Sequence, residues 1–401
     1  MSSSLRIHWA TVVPSMLIVL SYLLLLQGCV SQPCGSEQGR PIAMCPRIKS
    51  HSQIRIVVAG GSESRVVGAG RDRTGQLHIL AVANQGNAAG RFGFSILSGA
   101  SLDELARMPG SAVTGWLDDE LPWGVYWCEA GFFYTLDGRR INVDGSISDW
   151  IVPLEYGAWN DGDEILAATF SPAGDLALLH GPGIVQDLEG AVVSLEVFKT
   201  GSNKPSRIVK MEQAHYGAIT VTTQRTRGRL VFNRGHLFAF LPGGTIWAGQ
   251  LDGPIREVVT RKDFESEVRS GHLSLHGWTH AVAVGDGAFG VGRCGAWFVS
   301  STSRSYIPVM SASSSELLAA SCTLHQSNTV CLVEDLGSRS GVRLFMVNVD
   351  SLGYSSTLLE IRGNPSSLNY LTVPVLLSGD CKRKDAELVG EDGRVFAIFQ
   401  P

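Results

Sequence analysis

Three features of the 401-residue sequence predict an all-β fold. From Ile54 to the C-terminus, short runs of Val, Ile, Leu, Phe, Trp and Ala alternate with clusters of Gly, Asp, Asn, Ser and Pro, the pattern of strands bounded by turns. A turn glycine followed by alternating apolar residues recurs at Gly75, Gly138, Gly174, Gly235, Gly295, Gly341 and Gly393. The first and last of these stand 318 residues apart, so the six intervals average about 53 residues. Four strands with their turns take roughly 40–50 residues in a propeller blade. The expected architecture is therefore a β-propeller of about seven four-stranded blades, with six to eight compatible with the uneven spacing.

The clearest strand signals are Gln76–Ala83, Glu164–Phe170, Ala191–Phe198, His236–Leu241, Thr329–Glu334, Arg343–Val349 and Arg394–Phe399. Glycine is expected between such runs because a tight hairpin turn needs a positive φ, which a β-carbon penalises. Helical periodicity is scarce. Arg261–Arg269 is the best short-helix candidate and Leu102–Met108 the second. An apolar strand at the very C-terminus must pair or remain a bare edge, and Ile54–Val58 has the same character. The two ends are expected to meet in one blade.

Composition narrows the function classes. Hydrophobic residues make up 44% of the chain, which excludes a disordered protein. A formal net charge of -4 and the lack of a long basic block argue against nucleic acid as a partner.

The N-terminus reads as an address. Arg6 precedes the uncharged run Ala10–Leu26, which is 17 residues long and marginal for a membrane span of ~20. A basic start, an apolar run and small residues after it describe a secretory signal. Leu26-Gln27-Gly28-Cys29 then resembles the lipobox of bacterial lipoproteins. The resemblance implies cleavage after Gly28, diacylglycerol on the Cys29 thiol and a membrane partner reached through the lipid. Val30 after the cysteine implies, by the same resemblance, the outer membrane of the cell envelope. The alternative is an uncleaved signal anchor with an incidental cysteine. The expected organisation is a signal peptide over 1–28, a polar tether over 29–53 containing Pro33, Pro41 and Pro46, and a propeller domain over 54–401.

Thr169-Phe170-Ser171-Pro172-Ala173-Gly174-Asp175-Leu176-Ala177 is similar to a signature of WD-repeat-like propellers in bacterial envelope proteins. Ala173 replaces the usual turn Asp, and the other repeats lack the Ser-Pro pair. The match supports the fold and transfers no active site.

Outside the cytoplasm disulfides persist. Cys322 and Cys331 bracket TLHQSNTV, a spacing that sets them opposite each other across a hairpin, and Cys34 with Cys45 would close a small loop in the tether. Small buried hydrophobes are the alternative for the first pair.

The densest candidate site is an acidic aromatic segment. Trp116, Asp118, Asp119, Glu120, Trp123 and Trp127 supply ring faces and carboxylates, with Trp150 and Trp159 following. Such a set suits a sugar groove, yet large aromatics also pack one blade on the next. His272, His276 and His280 are spaced by four, but Gly271, Gly277 and Thr279 argue for loop and strand, so no metal site is expected. Arg225, Arg227 and Arg229 alternate as on one strand face, fit for an anion or for a solvated edge. Gly285–Gly292 (GDGAFGVG) lacks the strand-to-helix context of a nucleotide loop, and no cofactor motif is found. The expected function is a non-enzymatic binding or scaffold propeller whose partner is an envelope protein or a glycan. A carbohydrate-active hydrolase using the acidic aromatic segment is the alternative.

Overall fold

The computed structural model describes residues 47–61, 63–107, 112–121, 125–150, 163–182, 192–212, 228–242, 244–260, 262–263, 278–292, 295–307, 316–321, 329–335, 342–350, 353–362, 386–390 and 392–399. These residues form six four-stranded antiparallel sheets and one of three strands. The first sheet holds β2 (Ser64–Arg71), β3 (Leu77–Ala83), β4 (Phe92–Gly99) and β5 (Val113–Leu117) in chain order, with helix α1 (Leu102–Arg107) between the last two. The second holds β6 (Val125–Cys128), β7 (Phe132–Thr135), β8 (Arg139–Asn142) and β9 (Ile147–Asp149). The third holds β10 (Asp163–Phe170), β11 (Leu176–Pro182), β12 (Val192–Phe198) and β13 (Pro205–Glu212). The fourth holds β14 (Arg229–Asn233), β15 (His236–Phe240), β16 (Ile246–Gln250) and β17 (Ile255–Val259). The fifth holds β18 (Trp278–Val284), β19 (Gly287–Gly292), β20 (Gly295–Val299) and β21 (Arg304–Ile307). The sixth holds β22 (Glu316–Ser321), β23 (Thr329–Asp335), β24 (Val342–Asp350) and β25 (Gly353–Arg362). The seventh joins the first and last described segments in the order β1 (Arg47–Gln53), β27 (Arg394–Phe399), β26 (Ala386–Val389).

The strands read as nearly continuous apolar runs because many are buried on both faces. Side chains alternate across a strand, and the alternation sorts them between neighbouring sheets. In β15, Leu237 and Ala239 pack with Leu179, Leu195 and Met211 of the third sheet. Phe238 and Phe240 point the other way, to Trp278, Ala288 and Trp297 of the fifth. β7 repeats this division, with Phe133 packed among Leu80 and Phe94 of the first sheet. Phe132 and Tyr134 instead join Ala168, Leu178 and Phe198 of the third. Burying a Phe fully contributes about 1.5–3 kcal/mol, so Phe133, Phe238 and Phe240, all fully buried, bind successive sheets firmly. The first strands also lie beside one another at four steps, β2 by β6, β10 by β14, β14 by β18 and β18 by β22.

Gly341 lies outside the described residues, and the other turns follow the glycine expectation with two shifts. Gly75, Gly174, Gly235 and Gly393 take positive φ of 85°, 90°, 82° and 81° in first-to-second strand turns. Gly138 also has positive φ but lies in a second-to-third turn, and Gly295 instead opens β20. The equivalent turn glycines are Gly131 (φ 93°) and Gly285 (φ 55°). With them the intervals from Gly75 to Gly285 become 56, 43, 61 and 50 residues, tighter than the spacing read from sequence. The run Gly285–Gly292 is thus a turn plus β19.

Helix α1 forms where expected, and Ser101 Oγ accepts from the Glu104 amide while Glu104 Oε2 accepts from the Ala100 amide at 2.7 Å. Those reciprocal bonds satisfy free donors at the helix start. Of the other helix candidate, only Lys262 and Asp263 are described, and both are helical.

The C-terminal strand does pair with the N-terminal end of the folded region, through a different segment. β27 bonds to Arg47–Gln53, within the stretch expected to be tether, and not to Ile54–Val58. RIKSHSQ carries no apolar alternation, so its strand character comes from its partner. Ile54 and Val58 are buried beside the first sheet instead. The register of the sixth sheet sets Cys331 opposite Ala320, two positions short of Cys322. Cys29, Cys34, Cys45 and Cys322 lie outside the described residues, and Cys128 is a buried free thiol, pushed up to about 11 chiefly by burial.

Candidate ligand-binding face

Strand direction gives the four-stranded sheets two distinct ends. At one end lie the first-to-second and third-to-fourth turns, mostly short. At the other lie the second-to-third turns and the connections between sheets. Those connections are uneven: 7 residues separate Leu117 from Val125 and 8 separate Ile307 from Glu316, whereas 16 separate Glu212 from Arg229, 18 separate Val259 from Trp278, and 23 separate Arg362 from Ala386. We call this second end the loop-bearing end. Binding residues concentrate on loops held by a rigid scaffold.

The acidic aromatic segment sits at that end, but its members are engaged by neighbours. Trp116, in β5, lies over Gly60 and has the Arg91 guanidinium 5.9 Å from its ring centroid. Asp118 pairs with Arg91 at 3.1 Å, and Glu120 with Arg65 at 3.4 Å. Arg139 donates to the carbonyls of Asp119 and Glu120 at 3.2 and 2.9 Å. Asp118, Asp119 and Glu120 remain exposed. Trp123 lies outside the described residues, as does Trp159. Trp127 belongs to packing between sheets. Its indole donates to the Arg71 carbonyl at 2.8 Å, stacks on His78 at 5.2 Å and covers Gly70 so closely that a β-carbon there would enter the ring. Trp150 is buried likewise, donating to Thr135 and packed edge-on against Tyr134 and Phe170.

A second group of polar residues, far apart along the chain, lies at the same end. His180, near the end of β11, stands between two buried carboxylates on adjoining strands. Its Nε2 is 3.3 Å from Glu196 of β12, and its Nδ1 is 3.7 Å from Asp163 at the start of β10. Glu196 and His180 are 1% and 3% exposed, which closes them to a substrate and makes the trio a brace beneath the face. On the next two first strands, Arg229 opens β14 and His280 lies near the start of β18. Burial, helped by the Arg229 charge, pushes His280 down to about 4. Only the alternation of β-strands carried a signal here, since Asp163, His180 and Glu196 are 17 and 16 residues apart.

His272, His276, Arg225 and Arg227 lie outside the described residues. Among the described residues, no group of three His, Cys, Asp or Glu is placed to hold a metal ion. No helix among them is long and apolar enough to cross a membrane.

No family model matches the chain, and no curated protein matches it. Its fold is nevertheless shared. The extracellular domain of a protein from B. thetaiotaomicron, described as a hybrid two-component system, superposes with a TM-score of 0.51 at 13% identity, covering 89% of this chain and 43% of that one. A second structure of that domain, described as from a one-component system, gives 0.47 at 13% identity, with 88% and 42% covered. The chain spans less than half the length of these neighbours. At such identity the likeness of the first shows the fold alone.

Proposed function

We propose that this chain is a non-enzymatic binding module of the bacterial cell envelope, a seven-bladed propeller that receives a partner protein or glycan at its loop-bearing end. The observation that carries the reading is the asymmetry between the ends. Mostly short glycine turns close one end, whereas connections of 7 to 23 residues, three of them 16 or longer, leave the other. The face-to-face order of the sheets and the joining of both chain ends in the seventh support a closed ring. The extracellular setting of the structural neighbour favours an envelope location. Cys29, with its lipobox-like approach, supplies the lipid anchor in this reading, directed to the outer membrane by Val30. The acidic segment serves as a recognition surface in this reading, with Asp118 and Glu120 each paired with an arginine.

Photo-crosslinking in the native envelope tests this. A photoreactive residue at exposed Asp119 should capture one discrete partner, and the same residue at Thr74, on the opposite end, should not. Equal capture from both positions, or from neither, overturns the reading.

A further inference from the structure

Opposite the loop-bearing end, a hydroxyl, an imidazole and a carboxylate of the first sheet form one hydrogen-bonded chain. His78 of β3 and Ser98 of β4 are cross-strand partners, and His78 Nδ1 lies 2.8 Å from Ser98 Oγ. His78 Nε2 lies 3.1 Å from Oδ2 of Asp72, in the turn between β2 and β3. Trp127 of the second sheet stacks on the imidazole with 25° between the planes. Its indole enters the space left by Gly70, the partner of His78 on β2. The imidazole is therefore fixed by both ring nitrogens and by a ring face.

The protons of this chain have a definite order. Asp72 Oδ1 accepts from the Thr74 amide at 2.8 Å, the Thr74 hydroxyl at 2.6 Å and the Gln76 amide at 3.0 Å. Burial works to raise the Asp72 carboxyl, but the bonds from Thr74, His78 and Gln76 outweigh it and hold it below the usual carboxylate range. An ionised carboxylate only accepts, so His78 Nε2 carries the hydrogen between them. In the neutral imidazole Nδ1 then keeps the lone pair, and the Ser98 hydroxyl donates to it. The same order of protons activates the serine of a hydrolytic triad. His78 is 3% exposed whereas Ser98 is half-buried, so of the two the hydroxyl is the one a small reagent reaches.

We propose that Ser98 is an acylation site, an activated nucleophile that takes an acyl group from a carboxylic ester with a good leaving group. Ser98 Oγ bonds to the carbonyl carbon as the bond from that carbon to the leaving oxygen breaks. The hydroxyl proton passes to His78 Nδ1, and the leaving group departs as an anion with the bonding pair. Asp72 stabilises the imidazolium so formed, acting as a positioning residue. The proton then leaves through water to the departed anion, so ester and serine yield acyl-serine and an alcohol. This modifies the chain itself and is separate from partner binding at the other end.

The test treats the full chain with 4-nitrophenyl acetate and, separately, with a fluorophosphonate, and locates the modified residues by peptide mass spectrometry. Ser98 should be labelled at least a hundredfold faster than exposed Ser146, and Ser98→Ala should lose that label. Asp72→Asn keeps the oxygen that closes the turn but turns an amide donor toward Nε2, which forces the hydrogen onto Nδ1. It should slow labelling of Ser98 at least tenfold with a melting temperature within a few degrees of the parent, a response that a merely structural network does not give. Labelling of Ser98 no faster than Ser146 overturns the proposal, as does an unchanged rate in Asp72→Asn. Neither result depends on whether the loop-bearing end binds a partner.

Discussion

The backbone amide of Ile54 donates to the carbonyl of Gly393 at 2.8 Å, joining residues 339 positions apart. The bond marks where the chain leaves the sheet made by its own two ends and enters the first sheet. Beside it, Val389 and Val395 of the seventh sheet share a buried cluster with Val66, Leu77, Leu102 and Leu105. The last residues of the chain are therefore part of the core that surrounds the first ones. A closed ring follows if the same packing continues at every other step.

Trp127 fills the space above Gly70, so Gly70→Ala should force the indole or the strand to move. Overpacking of this kind destabilises by about 1–3 kcal/mol. Denaturant unfolding should show that loss. In a Trp127→Ala background the same glycine substitution should be nearly neutral. An equal loss in both backgrounds would mean that the ring is not what constrains Gly70.

Removing the imidazole between two buried carboxylates leaves Asp163 and Glu196 without their shared neighbour. His180→Ala should destabilise by about 1–3 kcal/mol, the range for leaving buried polar groups without a partner. His180→Asn, which keeps a donor, should lose less. A change under ~0.5 kcal/mol in His180→Ala would remove the brace from the account.

His280 supplies a pH dependence with a definite sign. Its folded value of about 4 lies below the ordinary histidine value of 6.5, so the unfolded chain binds the proton first as pH falls. Stability from this group is fully present above about 6.5 and is lost progressively down to about 4. The whole span is worth up to about 3 kcal/mol. Melting temperatures recorded from pH 7 to pH 4 should fall less steeply in His280→Gln than in the unaltered protein. Parallel curves would show that His280 is readily protonated in the fold.

The proposed lipid anchor rests on one residue of the N-terminus, Cys29. Metabolic labelling with a fatty-acid analogue should mark the unaltered protein and leave Cys29→Ser unlabelled. Labelling of both would return the segment to an ordinary signal anchor.

Strands were the legible part of the fold because their two physical signals are local. QLHILAVA is apolar at nearly every position, and Gly75 before it must take a positive φ, so sequence places β3 to within one residue. β1 gave no such signal. A polar edge strand such as RIKSHSQ is held by main-chain bonds to β27, and nothing in its own side chains announces that pairing. The repeat was blurred for a related reason: Gly138 serves a second-to-third turn, so its glycine resembled the others while its place differed. In the candidate site, Trp116 and Trp127 drew notice by residue type, but only three-dimensional contact shows that one lies under Arg91 and the other seals two sheets. The trio of Asp163, His180 and Glu196 stayed hidden because each residue sits on a different strand.

The proposed ring requires Arg47–Gln53 and Arg394–Phe399 to share one sheet, and a covalent link across them tests it most directly. Lys49 and Ala397 are paired across β1 and β27, within the separation a disulfide can span. The double variant Lys49→Cys, Ala397→Cys should oxidise to a single new bridge, seen by non-reducing peptide mapping. It should also raise stability by roughly 2–4 kcal/mol, the usual contribution of such a crosslink. Two free thiols under oxidising conditions, with a melting temperature unchanged from the parent, would show that these two segments do not meet and would contradict the proposed closed ring.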